Sequence, residues 1–142
     1  MKFWDSSALV PLIVRQDGSA EAEECLAADP EVVMWTLTFV ELVSALRRLV
    51  REGSLHERAA LEAEAVAAEL VPRAHVVADV EGVKAIACRV LRVHPLRSAD
   101  ALQLGAALAW ADGRPAGHGL HTLDRRLGLA AEREGFIVTP QS

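Results

Sequence analysis

The sequence predicts an open α/β fold in which helices cover both faces of a parallel sheet. Short apolar runs of strand length alternate with longer segments carrying apolar residues at helical spacing, the alternation that parallel strands joined by crossover helices require. The composition is 51% hydrophobic and only 4% aromatic, which suits aliphatic helices packed on an aliphatic sheet. The 142 residues can bury one core without disulfides or structural metal, so a single domain over 1–142 is expected.

In chain order, KFW reads as a short strand and SSALVPLIV as a helix starting near Ser6. DGSAEAEECLAAD is a turn and a short helix, closed by Asp29-Pro30. EVVMWT is a buried strand, and TFVELVSALRRLVREG a helix stopped by Gly53. SLHERAALEAEAVAAELV follows as a second long helix, antiparallel to the first across the Gly53-Ser54 turn. AHVVA is a short strand, and VEGVKAIACRVLRV is helical up to His94, since Pro95 disfavours helix in the residue before it. SADALQLGAALAWADG is a nearly all-apolar helix ended by Gly113. HGLHTL is a strand, DRRLGLAAEREG a helix and FIVT a last strand.

Several classes are excluded or disfavoured. No apolar span reaches twenty residues without a charge, so no membrane helix is expected, and no signal peptide is read at the start. Cys25 and Cys88 form no metal or redox motif and are expected to be buried thiols of a reducing compartment, with the cytoplasm as location. The formal charge of −5 is not that of a typical nucleic-acid binder. The basic residues are almost all arginine, however, which suits bidentate contact with phosphate or carboxylate. His56, His75, His94, His118 and His121 lack zinc-ligand spacing and read as structural or surface residues. Trp4, Trp35 and Trp110 lie in apolar segments and read as core. No Gly-rich phosphate loop and no G-x-S-x-G nucleophile motif occurs.

The informative residues are four acids. Ligands of open α/β sheets bind outside the carboxyl ends of the strands. Asp5 and Asp124 stand at such ends, after KFW and HGLHTL. Glu41 and Asp100 stand on the first turns of two helices. Each has an ordinary explanation. Thr38 and Glu41 fit a capping box, with Phe39, Val43, Leu46 and Val50 as the apolar face and Glu41 opposite them beside Arg48. Ser98 fits a cap above Asp100, and Asp5 and Asp124 fit caps of the helices that follow them. For Asp100 this is weakest, because its helix is apolar on every face. A carboxylate there must be paired (Arg97 is at hand), protonated or bound to a cation. Four separate caps stand against one cluster at one sheet edge. Clustered like charges repel unless a cation sits among them, and hard ions such as Mg²⁺ take such oxygen ligands. Ser6, Ser7 and Thr122 flank the acids as hydroxyl partners.

DSSAL, TFVELVSAL, RSADALQLGAAL and TLDRRLGLAAEREGF, in this order and spacing, make the whole chain resemble the PIN-domain family, and within it the VapC-like toxin ribonucleases. The resemblance implies a three-layer α/β/α sandwich with a short parallel sheet of four or five strands. It implies that Asp5, Glu41, Asp100 and Asp124 form an acidic catalytic site for Mg²⁺ or Mn²⁺. Asp5 and Asp100 would be the main metal ligands, Glu41 and Asp124 would hold metal-bound waters or a second ion, and Ser6 and Thr122 would be the supporting hydroxyls. It further implies an RNA substrate, a homodimer and a small antitoxin protein that blocks the site. Arg47, Arg48, Arg51, Arg97, Arg125 and Arg126 are the candidates for contact with RNA. The rival readings are a PIN-like module that binds a partner without catalysis and a PIN nuclease that processes RNA without an antitoxin. A phospho-acceptor receiver domain needs paired acids where Asp5 is followed by serines, and a haloacid-dehalogenase-like phosphatase needs an acid where Ser7 stands.

Overall fold

The computed structural model describes residues 1–141, and Ser142, the last residue of the expected domain, lies outside the described residues. Five strands form one sheet: β1 (Lys2–Trp4), β2 (Val32–Trp35), β3 (His75–Val77), β4 (Gly119–His121) and β5 (Ile137–Thr139). Their order is β3-β2-β1-β4-β5, and every neighbouring pair is parallel. The helices are α1 (Ser6–Ile13), α2 (Ser19–Ala28), α3 (Thr38–Arg51), α4 (Glu57–Leu70), α5 (Val80–Val93), α6 (Ser98–Trp110) and α7 (Arg125–Glu134). A 3-10 turn at Val71–Arg73 leads from α4 into β3.

Because successive strand side chains alternate between faces, each strand feeds two cores. Phe3 is in register with Val33 on one side and Leu120 on the other, and with Val138 these residues pack against α5, α6 and α7. Trp4, Val32 and Met34 face the opposite way, where Ala8 and Leu9 of α1, Leu42 of α3 and Ala67 of α4 cover them. Leu46, Ala60 and Ala63 close the α3–α4 hairpin beyond the sheet. The three-layer sandwich and five-stranded parallel sheet therefore stand as expected. No helix among the described residues is long and apolar enough to cross a membrane.

Helix α6 is the central one. Ala101, Gln103, Leu104, Gly105, Ala106, Ala107 and Leu108 are all buried. Gly105 faces α5 so closely that a Cβ there would lie 3.0 Å from the Val83 carbonyl oxygen and 3.2 Å from the Ala87 nitrogen. Helix α7 ends at Gly135, whose φ of 115° needs a residue without a Cβ.

Some local expectations are corrected. Neither Thr38 nor Ser98 caps: α3 and α6 begin after Leu37 and Arg97, and neither helix has a side-chain cap. The buried stripe of α3 is Thr38, Leu42 and Leu46, and Glu41 lies at its edge rather than opposite it. Cys25 is half-buried and Cys88 exposed, so the expected burial of both thiols fails; Cys88 lies on the outer side of α5.

Candidate active site

The carboxyl ends of β1 and β4 lie side by side, because Trp4 is in register with His121 and the Asp5 N–H donates to the His121 carbonyl at 3.1 Å. The residues following these two strands therefore meet. Asp5 is the N-cap of α1 and is only 3% exposed. Its Oδ1 accepts from the Ser7 N–H at 3.1 Å and from the Ser6 hydroxyl at 3.2 Å. Its Oδ2 accepts from the Ser7 hydroxyl at 2.6 Å and from the Thr122 hydroxyl. Four donors thus occupy the four lone-pair positions a carboxylate offers. Ser7 also accepts from the Leu123 N–H at 2.9 Å, and Thr122 from the Asp124 N–H at 3.1 Å. This network stitches the two strand ends together.

Asp124 is the N-cap of α7, its Oδ1 accepting from the Leu127 N–H at 2.8 Å. Asp100 is on the first turn of α6 and has no salt-bridge partner among the described residues. Burial, then the charges of Asp124 and Asp5, push its carboxyl up to about 6, although Arg97 and Arg126 pull the other way. Burial also raises the Glu41 carboxyl, with Asp5 and Asp100 adding to the effect. The hydrogen bond from Gln103 opposes the rise, as does the nearby Ser6 hydroxyl. Asp100 thus feels the charges of Asp124 and Asp5, and Glu41 those of Asp5 and Asp100, across a single sheet edge.

Gln103 belongs to the site although no sequence motif marks it. It is 1% exposed, and its Nε2 donates to Glu41 Oε2 at 2.5 Å and to Thr38 Oγ1 at 3.1 Å. The one available signal is a lone amide inside the apolar run ADALQLGAALAW, one turn beyond Asp100. Ser7 carries more of the network than Ser6, since its hydroxyl also accepts from the Leu123 N–H and lies 3.2 Å from the Thr122 hydroxyl.

The arginines divide into groups. Arg97, Arg125 and Arg126 line a cavity of about 330 Å³ together with Asp100 and Asp124. A groove of about 710 Å³ continues from it along α7, past Leu123 and Leu129 to Pro140. Arg47 is paired within the hairpin, its Nη1 contacting both Glu57 oxygens at 2.8 Å. Arg48 and Arg51 lie farther along α3, exposed and outside this cavity. The buried histidines are structural. His121 packs on Trp4 with ring centroids 4.5 Å apart, and burial holds its imidazole down to about 4. His94 contacts Glu134 at 2.8 Å.

The donor set consists of carboxylate and hydroxyl oxygens, the ligands that hard divalent cations prefer. The carboxyls of Asp100 and Glu41 are raised in part by neighbouring acids, which is the excess of negative charge that a cation relieves. Among the described residues no three His, Cys, Asp or Glu side chains already stand close enough to ring an ion, so holding one requires the acids to draw inward.

A five-stranded parallel sheet with acids at its carboxyl edge is the arrangement that the family resemblance implies, and comparison with known proteins agrees. The family model described as PIN domain matches residues 2–134. The chain is 30% identical over 138 residues to ribonuclease VapC45 of Mycobacterium tuberculosis, covering 97% of this chain and 94% of that protein. The crystal structure of VapC20 of M. tuberculosis, described as a sarcin-ricin loop cleaving toxin, superposes with a TM-score of 0.68 at 20% identity, over 96% of this chain and 97% of that one. A toxin–antitoxin complex from Klebsiella pneumoniae superposes with a TM-score of 0.62 at 14% identity, over 87% of each chain. The chain belongs to the PIN-domain family.

Proposed function

We propose that this protein is a divalent-metal-dependent endoribonuclease of the VapC type, the toxin of a toxin–antitoxin pair. The observation that carries the reading is the convergence of Asp5, Glu41, Asp100 and Asp124 on one sheet edge beside an arginine-lined cavity. The name ribonuclease on the M. tuberculosis relative supports the activity, and the Klebsiella toxin–antitoxin complex supports a small antitoxin as partner.

Asp5 and Asp100 would hold a Mg²⁺ or Mn²⁺ ion, with Glu41 and Asp124 at its rim. Such an ion supplies charge stabilisation at the phosphoryl oxygens and acidifies water. The protein's own part is to hold its acids ready for an ion. The Ser7 and Thr122 hydroxyls fix the Asp5 carboxylate, and the Leu127 N–H fixes Asp124. Arg97, Arg125 and Arg126 seat the phosphate backbone next to the acids and orient the scissile bond. A homodimer in the cytoplasm completes the proposal. The cleavage of a sarcin-ricin loop by VapC20 supports structured RNA as the substrate class.

Calorimetric titration of Mn²⁺ into the wild type, Asp5→Asn and Asp100→Asn tests this without knowledge of the RNA. Saturable binding in the wild type, lost in both variants, is expected. A wild type that binds no Mn²⁺, or variants that bind as the wild type does, would sink the metal site and favour a PIN-like module that only holds a partner.

A further inference from the structure

We infer that Gln103 is a positioning residue for the acidic site, holding the Glu41 carboxylate in place from beneath. The inference rests on the metal-site reading above and adds a residue to it. Helix α6 gives the site two polar groups one turn apart: Asp100 at its mouth and Gln103 below, sealed from solvent at 1% exposure. The Gln103 amide spans to α3, where its Nε2 donates to Glu41 Oε2 at 2.5 Å and to Thr38 Oγ1 at 3.1 Å. Thr38 and Glu41 share the first turn of α3, so one amide fixes both ends of that turn to α6.

A purely structural role explains this poorly. Gln103 Oε1 is buried and has no hydrogen-bond partner among the described residues. A buried amide left half satisfied costs free energy that a methionine of similar length would not incur. The compensation lies at Glu41. Its Oε2 is engaged by the amide, which fixes the carboxylate's direction. The amide presents its nitrogen rather than its oxygen to Glu41, the arrangement that a carboxylate acceptor requires. Residues that hold metal ligands in this way typically contribute about 10- to 100-fold to affinity.

The test is a double-mutant cycle read by Mn²⁺ calorimetry and by metal-free thermal melting, on the wild type, Gln103→Met, Glu41→Gln and the double variant. Gln103→Met should weaken Mn²⁺ binding about tenfold or more without lowering the metal-free melting temperature. In the Glu41→Gln background the same change should have no additional effect, since its target is already gone. Equal losses in both backgrounds, or undiminished affinity in Gln103→Met, would overturn the inference while the metal site stands. A wild type that binds no Mn²⁺ overturns both. If Gln103→Met does not fold, Gln103→Asn carries the test. It keeps an amide in the core but stops one methylene short of Glu41, so it should lose affinity in the wild-type background and not in Glu41→Gln.

Discussion

Asp5 shows how the fold holds a single carboxylate in a fixed orientation, as the proposed metal site would need. Its oxygens receive four hydrogen bonds, so taking a cation means exchanging one of them, and among those from the two serines the 3.2 Å bond from Ser6 is the longest. Asp100 has the opposite character: raised to about 6 from an ordinary 3.8, it is an acid whose charge the fold resists. The sign follows from linkage. A carboxyl with a folded-state pKa above its unfolded value favours folding when protonated, and that contribution is lost as pH rises from about 3.8 to about 6. Without metal, Asp100→Asn should therefore melt higher than the wild type at pH 8 and alike at pH 4. With allowance for solvent screening of a half-exposed group, the gain at pH 8 should be about 1 kcal/mol, or roughly 3 °C by calorimetry. Equal melting temperatures at pH 8 would show that neither burial nor the neighbouring acids penalise the Asp100 charge. All four acids were legible in the sequence, because an acid at a strand end or on an apolar helix calls for an explanation. The roles of Thr38 and Gln103 were not, because a capping pattern is local and the hydroxyl's actual partner lies on another helix.

Among the elements, α6 repays the closest reading. Its even apolarity correctly marked it as central, but nothing in one sequence shows what each face meets. The contact of Gly105 with the α5 backbone is one such case. Gly105→Ala should destabilise the protein by about 1 kcal/mol, since the cost of overpacking against backbone exceeds the helix propensity gained. Urea unfolding measures this, and a variant as stable as the wild type would mean that α5 yields easily. Strand positions were also legible, from short apolar runs, and their alternate burial follows from the pleat. Strand order was not, because β1 pairs with β2 and β4 through contacts that no local pattern encodes. The expected α3 face holds for Phe39, Leu46 and Val50, which pack into the core. The fully buried stripe is turned toward Leu42 and Thr38, because packing buries Thr38 beside Gln103.

For the whole molecule, a net charge of −5 is compatible with an RNA substrate because the arginines are distributed unevenly. Arg97, Arg125 and Arg126 line one cavity with Asp100 and Asp124, while Arg47 is bound to Glu57. Replacing Arg97 or Arg126 by alanine should weaken RNA binding and lower the steepness of its salt dependence by about one released ion each. Arg47→Ala should leave that slope unchanged. Titrations of a catalytically dead variant with RNA across a salt series read this directly, and identical slopes in all the variants would place the RNA elsewhere. The wide separation of site residues along the chain has a consequence for how the protein is made. Asp5 obtains its Thr122 partner only when β4 docks beside β1, and Thr122 is made 117 residues after Asp5. A chain still being translated therefore holds its acids apart. The full set comes together only after the chain has been made past Asp124, so products of translation interrupted before that point carry no assembled site. For a ribonuclease, that delay spares the message from which it is being read.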